Sequence, residues 1–137
     1  MIAVDVNTIA YHWFISLHSK AIKELFIKDN DWVAPSLWRS EFRNVLTSQM
    51  RFQKLALLDA LDIWMETEMM MKGKEHAIST SSVLLLVAES NCSAYDCEYV
   101  ALAHQLDVKL LTYDKQLIKA FPLVASTAEQ YLSSISE

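Results

Sequence analysis

Four acidic side chains stand where this chain could do chemistry: Asp5, Glu41, Asp96 and Asp114. Asp5 ends a short apolar run, and Asp114 follows another. Glu41 lies one turn into a helix that follows a third such run. Asp96 lies in the first turn of a helix that Ser93 is placed to cap. At 100° per residue, Glu41 shares a face with Leu37, Val45 and Ser48, while Arg39 and Arg43 point the opposite way. Asp96 aligns with Tyr99, Val100 and Ala103, whereas Glu98 falls on the far side with Ala101 and Gln105. Glu41 and Asp96 are therefore expected on inner faces, where an unpaired charge costs several kcal/mol. A helix N-terminus offsets only about 0.3–1 kcal/mol of that. Any one acid taken singly could be an N-cap or the partner of a buried Lys or Arg. No set of inward basic residues serves all four, and a divalent cation does. Carboxylate oxygens without His or Cys at ligand spacing suit Mg²⁺ or Mn²⁺, not zinc. Ions held in this way activate water and stabilise an in-line attack on a phosphodiester, with no protein nucleophile.

The acids are far apart in sequence, so the fold must gather them. Ile2 to Asp5 and Trp32-Val33-Ala34, ended by Pro35, read as short buried strands, and Val108 to Thr112 as a third. Phe121 to Val124 reads as a weak fourth, and His76-Ala77-Ile78 as a minor one. Between them lie helical stretches: from Asn7 or Thr8 to Phe26 with a break near Ser16 to Ser19, and from a Ser36 cap to about Gln53. Others run from Leu55 to Lys72, Thr80 to Glu89, Ser93 to about Leu106, Asp114 to Ala120 and Thr127 to Leu132. Lys72-Gly73-Lys74 is the clearest break. Strands alternating with helices predict an α/β domain of three layers, helix–sheet–helix, with a short, mainly parallel central sheet. In such a sheet, ligands bind outside the carboxyl ends of the strands, where three of the acids fall.

Composition agrees with a single domain over residues 1–137. The chain is 53% hydrophobic and 21% charged, with one Gly and two Pro, which excludes disordered and linker classes. The longest apolar run, Val83 to Ala88, is far short of the ~20 residues of a membrane span. Asp5 and Asn7 interrupt the apolar start before any signal peptide could form. Cys92 and Cys97 do not form a disulfide framework, and the chain reads as cytoplasmic. A net charge of −5 argues against binding nucleic acid through bulk electrostatics, but not against meeting a phosphodiester through metal ions.

Four stretches carry a resemblance. Ile2-Ala3-Val4-Asp5-Val6-Asn7, Pro35 to Leu46 around Glu41, Ala94 to Ala103 around Asp96, and Leu110-Leu111-Thr112-Tyr113-Asp114 look like the four motifs of PIN-domain ribonucleases. Within that superfamily the chain most resembles the VapC-like toxins of type II toxin–antitoxin pairs. The resemblance implies that Asp5, Glu41, Asp96 and Asp114 are the catalytic, metal-binding acids, and that Asn7 and Thr112 orient ligands or water around them. It implies Mg²⁺- or Mn²⁺-dependent endonucleolytic hydrolysis of RNA, leaving a 5′-phosphate and a 3′-hydroxyl. It also implies a homodimer neutralised by a cognate antitoxin protein. Some members carry a further acid two residues after the last, where this chain has Gln116. A catalytically idle PIN-like interaction module is the alternative; it would normally have lost an acid, and none is lost here. A receiver-type phosphoryl acceptor wants adjacent acids after the first strand, and Val4-Asp5-Val6 offers one.

The remaining candidates carry less. His12, His18, His76 and His104 show no clustered ligand spacing. Arg39 and Arg43 form an outward pair read as a solvated face rather than an RNA contact. Leu57, Leu58, Leu61, Trp64, Met65 and Met69 make an apolar stripe expected to be mostly core, with antitoxin or dimer contact as its other use.

Overall fold

A computed structural model describes residues 1–136. Strands β1 (Ile2–Val4), β2 (Trp32–Pro35), β3 (Glu75–His76), β4 (Leu110–Leu111) and β5 (Ala125–Ser126) form one sheet in the order β3-β2-β1-β4-β5. Every neighbouring pair is parallel, so the sheet is wholly parallel. β1 and β2 are buried throughout, as strands covered by helices on both faces must be. Helix α6 (Ala94–Leu106) packs on β1, β2 and β4, with α5 (Thr80–Ala88) against it. Helix α1 (Val6–Trp13) packs on α2 (Ser19–Lys28) and on α3 (Trp38–Phe52), and α2 meets α8 (Ala128–Ile135). Helices α4 (Leu57–Met70) and α7 (Lys115–Ala120) complete the described residues.

The order of strands places the site. From β1 the chain moves outward on one side to β2 and β3, then returns to the other side as β4 and β5. The strand order reverses between β1 and β4, and their carboxyl ends lead to Asp5 and Asp114. A crevice opens at such a point because consecutive connections leave in opposite directions.

Local chemistry moves several expected boundaries. The carboxylate of Asp5, not Asn7 or Thr8, caps α1. The first helical stretch splits, with α1 ending at Trp13 and α2 starting at Ser19. Ser36 does not cap α3, which begins at Trp38 with no side-chain cap. Phe121 to Val124 is not a strand. The N–H groups of Val124 and Ala125 both donate to the Phe121 carbonyl, closing a turn, and β5 begins only at Ala125. Gly73, at φ +76°, occupies the left-handed region where a Cβ is costly, which explains the break before β3.

The apolar stripe is not core. Leu57, Leu58, Leu61, Met65 and Met69 are exposed, Leu58 by 73% and Met69 by 77%. Trp64 alone turns inward, stacked on Trp38 with centroids 5.4 Å apart and near Phe42. Arg39 lies beside these rings and forms ion pairs with Glu68 and with Glu75 (2.7 Å), so it is part of the packing between α3, α4 and β3. No helix among the described residues is long and apolar enough to cross a membrane.

Candidate active site

Asp5 follows the last residue of β1 and is 6% exposed. Its Oδ1 accepts from the Thr8 N–H at 2.9 Å, with the Thr8 hydroxyl at 3.1 Å; its Oδ2 accepts from the Thr112 hydroxyl at 2.5 Å. Burial pushes the Asp5 carboxyl above the usual range, opposed by those hydrogen bonds and reinforced by the charge of Asp114. Thr112 Oγ1 also accepts from the Asp114 N–H at 3.0 Å. One buried hydroxyl thus ties the first acid to the backbone of the last.

Asp114 caps α7: its Oδ1 accepts from the N–H groups of Gln116 (2.8 Å) and Leu117 (3.2 Å). The N-cap explanation is therefore correct in part for Asp5 and Asp114, and each cap holds its carboxylate at the sheet edge. Asp96 lies one turn into α6, whose start is fixed by Ser93 accepting from the Asp96 N–H at 3.0 Å. Burial first, then the charge of Asp114, raises the Asp96 carboxyl. Glu41 projects from α3, and the Tyr99 hydroxyl of α6 donates to its Oε1 at 2.5 Å. Burial raises Glu41, the Tyr99 bond opposes this, and the charges of Asp96, Asp5 and Glu98 add to it. Tyr99 is itself raised by burial and by Glu41.

The pairing of β1 with β4 and the bonds through Thr112 and Tyr99 place all four expected acids toward one edge of the sheet. Among the described residues, none of the four forms an ion pair with a Lys, an Arg or the N-terminus. Asn7 is exposed and makes no hydrogen bond to the acids; Thr8, its neighbour, does. Tyr99 is a further residue of the site, and its place three positions after Asp96, on the same face, is the sequence signal for it. Glu98 departs from its helical-phase expectation: it is half-buried, and its charge reaches Glu41 and Tyr99. Gln116 donates from Nε2 to the Asn91 carbonyl at 2.9 Å, so it braces the loop before α6.

The donor set is all oxygen. Glu41 Oε2 and Asp114 Oδ2 are uncommitted among the described residues, and Ser93 hydrogen-bonds the Asp96 carboxyl. Such oxygens fit a hard divalent cation in type. No three carboxylate, imidazole or thiolate groups among the described residues already clasp a single point.

A family model described as PIN domain matches residues 2–121. The chain belongs to the PIN-domain family. It is also 30% identical over 94 residues to Ribonuclease VapC3 of Pyrobaculum aerophilum, a match that covers 69% of this chain and 67% of that protein. As a VapC-like PIN domain, the chain has the fold its sequence motifs imply, and Asp5, Glu41, Asp96 and Asp114 all fall inside the matched residues.

Proposed function

We propose that this PIN domain is a metal-dependent endoribonuclease, the toxin of a type II toxin–antitoxin pair, acting in the cytoplasm. The observation that supports it best is that four carboxylates from four separate elements stand at one sheet edge, with no Lys or Arg among the described residues paired to any of them. Asp5, Glu41, Asp96 and Asp114 would hold Mg²⁺ or Mn²⁺. Such an ion supplies an acidified water and a counter-charge for the phosphodiester. The chain supplies the setting. Thr8 and Thr112 hold Asp5 in one orientation and oppose the upward push of burial, because hydrogen bonds donated to a carboxylate favour its charge. Tyr99 fixes one oxygen of Glu41 and leaves the other free. The raised carboxyls release protons when a cation binds, so occupancy rises with pH.

The similarity to a protein named Ribonuclease VapC3 supports RNA as the substrate. A cognate antitoxin and a second copy of the chain are the proposed partners, and the exposed apolar side of α4 supports a protein partner. The test is incubation of purified protein with a pool of single-stranded RNAs in Mg²⁺, in Mn²⁺ and in chelator. Internal cuts leaving 5′-phosphate and 3′-hydroxyl ends, with divalent ion only, are expected. Equal cutting in chelator, or 2′,3′-cyclic phosphate ends, would overturn the reading.

A further inference from the structure

Three rings and a carboxylate lie beyond the acids, on the β4–β5 side of the same edge. The His18 ring stacks on Tyr113 with centroids 3.9 Å apart and planes at 27°. Tyr11 meets Tyr113 edge-on at 5.3 Å and His18 at 5.1 Å. Glu129 accepts from the Tyr113 hydroxyl at 2.5 Å and lies 3.0 Å from His18 Nδ1, which fixes both rings. Because β4 and β5 are parallel, Tyr113, next to Asp114, and Glu129, in the first turn of α8, emerge at the carboxyl edge where the acids stand. The His18 side chain remains 30% exposed there.

The geometry points to a nucleobase-stacking subsite at His18 and Tyr113, which holds a base of single-stranded RNA beside the cleavage site. This rests on the ribonuclease reading and adds to it how the substrate is gripped. A chain of net charge −5 with four acids at its site gains little from phosphate attraction. Stacking is indifferent to charge, and every base has a π-face, so aromatic platforms serve where a basic groove is lacking. Glu129 restrains the rings before the base arrives, so less side-chain freedom is lost on binding. The grip requires an unpaired base, and double-stranded RNA does not offer one.

The experiment uses oligoribonucleotides with 2-aminopurine, whose fluorescence falls on stacking, placed at each position in turn. They are titrated in Mg²⁺ with full-length Asp96→Asn protein, which leaves the RNA whole. One position should be quenched. Adding His18→Ala should abolish that quench and weaken binding by roughly 5- to 150-fold, the usual range for one lost stack. Adding His18→Phe should restore both, which a merely structural role for the histidine would not do. Should His18→Ala melt below the assay temperature, His18→Leu replaces it with the same expectation. Unchanged quench and affinity in the Ala or Leu variant, or no quenched position in an RNA that wild type cuts, would overturn the platform alone. RNA neither bound nor cut by wild type would overturn the ribonuclease reading and the platform with it.

Discussion

Replacing Thr112 with Val keeps the shape of a buried side chain and removes the hydroxyl that donates to Asp5 Oδ2 at 2.5 Å. The carboxylate left behind is 6% exposed and keeps only its Thr8 partners, so water cannot substitute freely. A lost hydrogen bond to a charged group costs about 1.5–3 kcal/mol. With 137 residues, each contributing about 2.1 cal/mol/K of unfolding entropy, the domain has about 0.29 kcal/mol/K. Loss of the Asp5 bond alone then lowers Tm by about 5–10 °C at pH 7, and the Asp114 N–H, which loses its Thr112 acceptor, adds about 1 kcal/mol at every pH. The sign with pH follows from linkage. Asp5 is already raised above its ordinary 3.8, and losing the Thr112 bond raises it further. For a carboxyl raised on folding, destabilisation sets in as pH climbs through the unfolded value and is complete above the folded one. Below about pH 4, Asp5 is protonated in both states, and the deficit should shrink to that of two neutral bonds, about 2 kcal/mol. Thermal melts of both proteins in chelator from pH 3 to 8 measure this. A deficit under 2 °C at neutral pH, or one that does not change with pH, would refute the claim that this hydroxyl holds a buried charge.

Other perturbations have definite outcomes. Asp96→Asn should raise Tm in chelator at neutral pH, because it removes one of the repelling charges, and the gain should vanish below about pH 4, where the unfolded carboxyl is itself protonated. Divalent ion should then stabilise wild type far more than Asp96→Asn, read as the Tm shift from chelator to excess Mn²⁺, since the ion binds only the assembled acids. Tyr99→Phe should weaken Mn²⁺ binding measured by calorimetry several-fold, because Glu41 loses the donor that favours its ionised form. Glu98→Gln should keep more than half of wild-type cleavage and raise the chelator Tm less than Asp96→Asn; loss as complete as that of Asp96→Asn would place Glu98 among the metal ligands.

The parts of the site that lie close to a strand end or a cap were legible in the sequence. Asp5 and Asp114 follow β1 and β4 directly, and Ser93 sets the phase of Asp96, so period and capping chemistry suffice to find them. Glu41 was placed by the face it shares with Leu37, even though the Ser36 cap expected there does not form. What remained hidden depends on how elements approach one another. Tyr99 reaches Glu41 only across the space between α6 and α3, and Thr112 reaches Asp5 only because β4 pairs with β1. Glu98 misleads for a related reason: it is half-buried and its charge is felt at Glu41, and phase within one helix does not say which neighbour lies on which side. In α4, apolar residues occur around most of the helix, so periodicity could not tell that Ala60, Ile63 and Trp64 turn inward while Leu57, Leu58, Leu61, Met65 and Met69 face out.

Initial rates of RNA cleavage across a Mn²⁺ titration, for wild type and Asp96→Asn side by side, test the central claim most directly. Wild type is expected to cleave only with the ion present, and Asp96→Asn to stay below a tenth of that rate at saturating Mn²⁺, with its fold intact by circular dichroism. A folded Asp96→Asn that retains more than a tenth of wild-type activity would contradict the assignment of Asp5, Glu41, Asp96 and Asp114 as one metal-dependent active site.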